Sequence, residues 1–166
     1  MNVDTSDTAL RQLADQVARA AIDHHHRLVT AESCTGGWIA KSLTDIPGSS
    51  DWFESGITAY SYEAKQALLG VQPHTLEEHG AVSRETVMEM VSGALVHSGA
   101  TAAVAVTGIA GPGGGIEDKP VGTVWIAWKQ RGGYPTAVVF HFDGDRETVR
   151  RQTVAAALHG LIELMT

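Results

Sequence analysis

Ser33, Cys34 and Thr35 stand in a row inside "LVTAESCTGGWIAKSL" (28–43), where an apolar run gives way to Gly36-Gly37. A hydroxyl or thiol there sits at a strand-to-helix turn, beside backbone N–H groups that can stabilise an oxyanion, so a residue of this triplet could attack a carbonyl carbon. A Ser or Thr at such a turn is equally an ordinary helix N-cap. Position leaves both readings open. The Gly-x-Ser-x-Gly elbow is absent, because Ala31 stands where its first Gly would be, and no Ser-x-x-Lys occurs anywhere in the chain.

A serine nucleophile needs a base. None of the eight histidines falls in a metal or catalytic motif, and His24-His25-His26 reads as the favourable end of a first helix. There is no His-Glu-x-x-His and only one Cys, so no metal is expected. The lysines are Lys41, Lys65, Lys119 and Lys129. Lys41 follows Ser33 by about two helical turns, roughly 12 Å along an axis, too far to take its proton. Lys129 ends a strand, and Lys119 lies in a Gly-rich segment as either a ligand contact or a surface charge. Lys65 comes one turn into the helix after "TAYS", which can bring it beside the first loop, with Tyr60 five residues earlier to orient it or relay a proton. Burial would have to lower its pKa for it to act as a base. Glu63 and Lys65 on a solvated helix face is the competing reading.

A second loop, "TGIAGPGGG" (107–115), also follows a buried strand. Its glycines can offer backbone N–H groups to a phosphate or carboxylate, or simply permit a long turn. No Gly-Lys-Ser/Thr follows it, and a strand rather than a helix comes next, so it is neither a P-loop nor a dinucleotide fingerprint.

The elements that must position these groups are legible from periodicity. Residues 7–24 read as an amphipathic helix and "RLVTAE" as a buried strand. "TGGWIAKSLTD" reads as a helix stopped by "IPGSS", "GITAYS" as a strand, and "YEAKQALLG" as a helix closing at Gly70. A helical turn over 73–80 precedes a helix capped by Ser83 and running to about His97. "TAAVAVTG" is a core strand, "VGTVWIAWK" and "TAVVFHF" form a hairpin across "QRGGYP", and a long helix from "DGDRETVRR" ends the chain. The predicted fold is α/β, a single three-layer domain over 1–166 with a mixed β-sheet flanked by helices. Ligands in such sheets gather at the carboxyl ends of strands, which makes the two loops walls of one pocket.

A net charge of −7 argues against a nucleic-acid partner, and no apolar run reaches membrane-spanning length. The acidic N-terminus shows no secretory signal and the lone Cys suits a reducing compartment, so a cytoplasmic location is expected.

"TAESCTGGWIAKSLTDIPGSSDWFESGITAYSYEAK", "HGAVSRETV", "VTGIAGPGGGIEDKPVGTVWIAW" and "GDRETVRRQ" together resemble the C-terminal domain of the CinA family, over about residues 8–163. The likeness is greatest to its stand-alone bacterial members. It implies an amidohydrolase that converts nicotinamide mononucleotide and water to nicotinic acid mononucleotide and ammonia, in pyridine nucleotide salvage. By the same resemblance Ser33 is the nucleophile and Lys65 its base, with Tyr60 beside them. Ser50, Thr107, Gly108 and Gly111 fall near the substrate, and Arg146 meets its phosphate. The family implies no cofactor, and a homodimer or higher homo-oligomer. Two positions depart from the pattern without removing a catalytic group: Thr107 is Ser in some relatives, and Gly113 is often Asp. A non-catalytic nucleotide-binding module and a Cys34 amidase are the rival readings.

Overall fold

The computed structural model describes residues 3–166. Its centre is a five-stranded sheet in the order β2-β1-β3-β4-β5. The strands are β1 (Leu28–Glu32), β2 (Phe53–Thr58), β3 (Ala102–Gly108), β4 (Thr123–Gln130) and β5 (Thr136–His141). β1 pairs in parallel with β2 and β3, whereas β3–β4 and β4–β5 are antiparallel, giving the expected mixed sheet.

Both faces of β1 and β3 are covered, so β1 is buried throughout and β3 reads as an almost unbroken apolar run. Alternation still sorts their side chains. Ala102, Val104 and Val106 join the cluster under α1 (Asp7–Asp23), α2 (Trp38–Thr44) and α6 (Arg146–Met165). Ala103 and Ala105 join the cluster under α3 (Tyr62–Leu69) and α5 (Arg84–Val96). Between those two helices runs α4 (Pro73–His79). Ser6, Ser61, Ser83 and Asp145 cap α1, α3, α5 and α6 with their side chains. No helix among the described residues is long and apolar enough to cross a membrane.

Two boundaries differ from the sequence reading, and both shape the site. The strand expected over "GITAYS" begins earlier, at Phe53, and ends at Thr58, because its partner β1 runs out at Glu32 opposite Thr58. Ala59 makes one last bond to the Glu32 carbonyl, and the chain then turns. The helix expected from "TGGWIAK" starts only at Trp38. Gly36 (φ 61°) and Gly37 (φ 98°) are left-handed and hold Ser33–Gly37 as a turn that a helix cannot include. Thr35 therefore does not begin the helix. That duty falls to Glu32.

Candidate active site

The Ser33 Oγ lies 3.0 Å from the Lys65 Nζ. β1 delivers Ser33 to the carboxyl edge of the sheet, and Ser33 N–H donates to the Val106 carbonyl at 3.1 Å, so the residue continues the sheet for one more step. α3 delivers Lys65 from the other side. Its Nζ also donates to the carbonyls of Ala59 (3.0 Å) and Tyr60 (2.9 Å), both in the turn that follows β2. Lys65 is 1% exposed, and burial holds its pKa below the ordinary lysine value, opposed slightly by the neighbouring Cys34. Ser33 keeps 8% of its surface and is reachable.

The turn carrying Ser33 is held by charge at both ends. The buried Glu32 carboxylate accepts the Thr35 hydroxyl at 2.6 Å and the N–H groups of Ile39 (2.9 Å) and Ala40 (3.0 Å). It thus caps α2 from the preceding strand, supplying the acceptor that Gly37, at the N-cap position, cannot. From α6, Arg150 donates to the carbonyls of Cys34 (3.0 Å) and Thr35 (3.1 Å). The N–H groups of Cys34 and Thr35 have no protein acceptor among the described residues.

The far wall comes from the second loop. Thr107 is buried one step beyond Val106, level with Ser33, and its hydroxyl donates to the Ala81 carbonyl at 2.9 Å. At Gly108 a Cβ would stand 2.7 Å from the Val124 side chain, so only glycine lets the chain leave β3 this close to β4. The Arg146 guanidinium donates to the Gly111 carbonyl (2.7 Å) and to the Tyr60 hydroxyl (3.2 Å). The mouth therefore joins α6, the Gly-rich loop and the β2–α3 turn. Tyr60 meets Lys65 through its carbonyl, while its hydroxyl, on a 60% exposed side chain, turns to Arg146 and not to the Ser33–Lys65 pair.

Ser50 is the one expected residue that the fold does not bring here. It lies in the 3-10 turn Ser49–Asp51 that leads into the start of β2, at the amino end of the parallel strands. Roughly 16 Å of strand length separates that end from Ser33. The remaining lysines are engaged elsewhere, Lys41 with Asp45, Lys119 with the His79 carbonyl and Lys129 with Ser92. Among the described residues no group of three His, Cys, Asp or Glu could hold a metal ion. Burial, helped by Glu32, pushes the Cys34 thiol up to about 12. Near neutral pH it is no thiolate nucleophile.

The CinA C-terminal domain model matches residues 10–165. The chain belongs to the CinA C-terminal domain family. Nicotinamide-nucleotide amidohydrolase PncC of Escherichia coli (strain K12) is 51% identical over 94% of this chain and 94% of its own length. A protein of that name from Pseudomonas putida is 55% identical over 84% and 87%. Among solved structures, a competence/damage inducible protein from Agrobacterium tumefaciens superposes with a TM-score of 0.92 at 44% identity, with both chains fully covered. Ser33, Lys65, Tyr60, Thr107 and Arg146 all lie inside the span that matches the CinA C-terminal domain.

Two contributors to this CinA-family site escaped the sequence reading. Glu32 looked like the last residue of a strand, although an acid placed seven positions before Ile39, across a Gly-Gly turn, was the available signal. Arg150 lies more than a hundred positions from the turn it grips, and only the folding of α6 across the sheet reveals it.

Proposed function

We propose that this protein hydrolyses the carboxamide of nicotinamide mononucleotide, releasing ammonia and nicotinic acid mononucleotide, with Ser33 as nucleophile and Lys65 as general base. The 3.0 Å approach of Ser33 Oγ to a solvent-excluded lysine carries the reading. A neutral amine has two N–H donors and one lone pair. The carbonyls of Ala59 and Tyr60 take the two donors, which leaves the lone pair for the Ser33 O–H.

The oxygen of Ser33 bonds to the carboxamide carbon as its proton passes to Lys65. The C=O electron pair becomes an oxyanion, received by the free N–H groups of Cys34 and Thr35. Lys65, now an ammonium, returns the proton to the amide nitrogen. The C–N bond breaks and ammonia leaves an acyl-serine. A water deprotonated by Lys65 attacks this ester, the Ser33 oxygen leaves with the proton from Lys65, and the carboxylic acid ionises. Arg146 and the loop from Gly108 to Gly115 offer the phosphate a guanidinium and backbone amides; those of Gly113, Gly114 and Gly115 have no protein acceptor among the described residues. Tyr60 contributes a carbonyl to Lys65 and a hydroxyl at the mouth, available to bound substrate. Ser33→Ala should abolish ammonia release from nicotinamide mononucleotide while keeping the wild-type fold; turnover at the wild-type rate would overturn the assignment.

A further inference from the structure

Arg150 reaches from the second turn of α6 to the Ser33 turn and holds two consecutive carbonyls, Nε on Cys34 and Nη2 on Thr35. Its guanidinium lies 5.3 Å from the centre of the Trp38 ring. Gly36 beside it is left-handed (φ 61°), and a Cβ there would make only ordinary contact, 3.4 Å from Arg150 Nη2. We propose that Arg150 is a positioning residue for acyl transfer, which aims the Thr35 N–H at the developing oxyanion. This rests on the reading of Ser33 as nucleophile.

The argument starts from the peptide plane. In a trans peptide the C=O and the following N–H point in opposite directions. With the Cys34 carbonyl drawn to Arg150, the Thr35 N–H must face away from α6. α6 packs on one face of the sheet and α3, which supplies Lys65, belongs to the other. The free Thr35 N–H thus turns toward the side where Ser33 meets its base. In the next peptide, the Thr35 carbonyl goes to Arg150 and the Gly36 N–H closes onto the Ser33 carbonyl at 3.0 Å, so the turn cannot rotate the donor away. Glu32 fixes the Thr35 side chain from below. Charge-assisted bonds to the two carbonyls also polarise their peptides and strengthen the donor on the far side.

The experiment compares the wild type with Arg150→Ala, Arg150→Lys and Arg151→Gln. Arg151 lies over the same Trp38 ring at 5.0 Å but bonds to Asp7 and Glu147 and not to the turn, so its variant controls for lost stacking. An oxyanion donor is worth about 10²–10³ in kcat, so misaiming one should lower kcat by at least about tenfold in both Arg150 variants, with KM and affinity for nicotinic acid mononucleotide changed by no more than about twofold. Added guanidinium ion should restore part of the kcat of Arg150→Ala, and Arg151→Gln should turn over like the wild type. Circular dichroism identifies which variants fold, and Arg150→Lys keeps the charge should Arg150→Ala not fold. Unchanged kcat in a folded Arg150 variant, or a kcat loss matched by lost product affinity, overturns the inference while leaving Ser33 chemistry intact. A wild type that releases no ammonia overturns the Ser33 reading itself, and the inference with it.

Discussion

Lys65 donates to the carbonyl of Tyr60 at 2.9 Å, five positions before it in the chain, so the turn leaving β2 and the helix carrying Lys65 form one unit. The same turn bonds to Glu32 at the end of β1 through Ala59 N–H. Ser33 and Lys65 are therefore registered against each other by neighbouring parallel strands, and the lysine needs no flexible reach to find the serine.

Burial lowers the Lys65 pKa, and the sign of its effect on stability follows. Between the lowered folded value and the unfolded value near 10.4, the unfolded chain binds a proton that the native chain does not, so stability rises with pH across that window. Below the folded value both states are protonated and the dependence vanishes. Turnover should rise over the lower part of the same window, as the amine becomes a base. We expect urea midpoints and kcat/KM to climb together with pH in the wild type. Lys65→Met should flatten the stability slope and abolish activity. A pH–rate profile with no rising limb below pH 10 would count against Lys65 as the base.

Glu32→Gln tests the cap of α2. The carboxylate accepts from both Ile39 and Ala40, whereas an amide must present an N–H₂ to one of those donors. The buried mismatch should cost about 1–3 kcal/mol of stability. It also frees the turn, so kcat should fall along with the denaturation midpoint. Urea denaturation and ammonia release measured on the same preparation check both.

Cys34 is the nearest rival nucleophile, and its raised pKa predicts inertness. Native protein at pH 8 should resist iodoacetamide, and the thiol should become reactive only on unfolding. Cys34→Ala should keep most of the wild-type kcat and cost about 1 kcal/mol or more of stability from lost packing. Mass spectrometry of the alkylated protein and a thermal melt of the variant are sufficient.

What was legible in the sequence divides along a physical line. Periodicity placed the strands and helices because burial on one or both faces leaves a repeating mark, as in the unbroken apolar run of β3 or the spaced Leu10, Leu13 and Val17 of α1. The Ser33, Lys65 and Thr107 expectations rest on the resemblance to the CinA family, and the parallel register of β1 with β2 and β3 sets their turns side by side. Ser50 misled because proximity in a motif says nothing about which end of a strand a residue occupies. Glu32 left only its spacing across the Gly-Gly turn as a signal, and Arg150 left none, for a related reason. A charged side chain that bonds mainly to backbone leaves little pattern in side-chain types, because N–H and C=O groups are carried by every residue.

The approach of α3 to α5 is set by a glycine. At Gly93 of α5 an added Cβ would run into the Leu69 carbonyl, with the carbonyl carbon only 2.7 Å away. Leu69 ends α3, four positions after Lys65. Gly93→Ala would therefore push α3 outward at its last turn, and backbone cannot rotate aside as a side chain could. Overpacking of this kind costs about 1–3 kcal/mol, against the few tenths to 1 kcal/mol that alanine gains over glycine in a helix. The net expectation is a lower thermal midpoint. Because Lys65 moves with α3, kcat should drop more than KM rises. A Gly93→Ala protein with wild-type kcat and midpoint would show that the close approach of α3 and α5 does not set the serine–lysine distance.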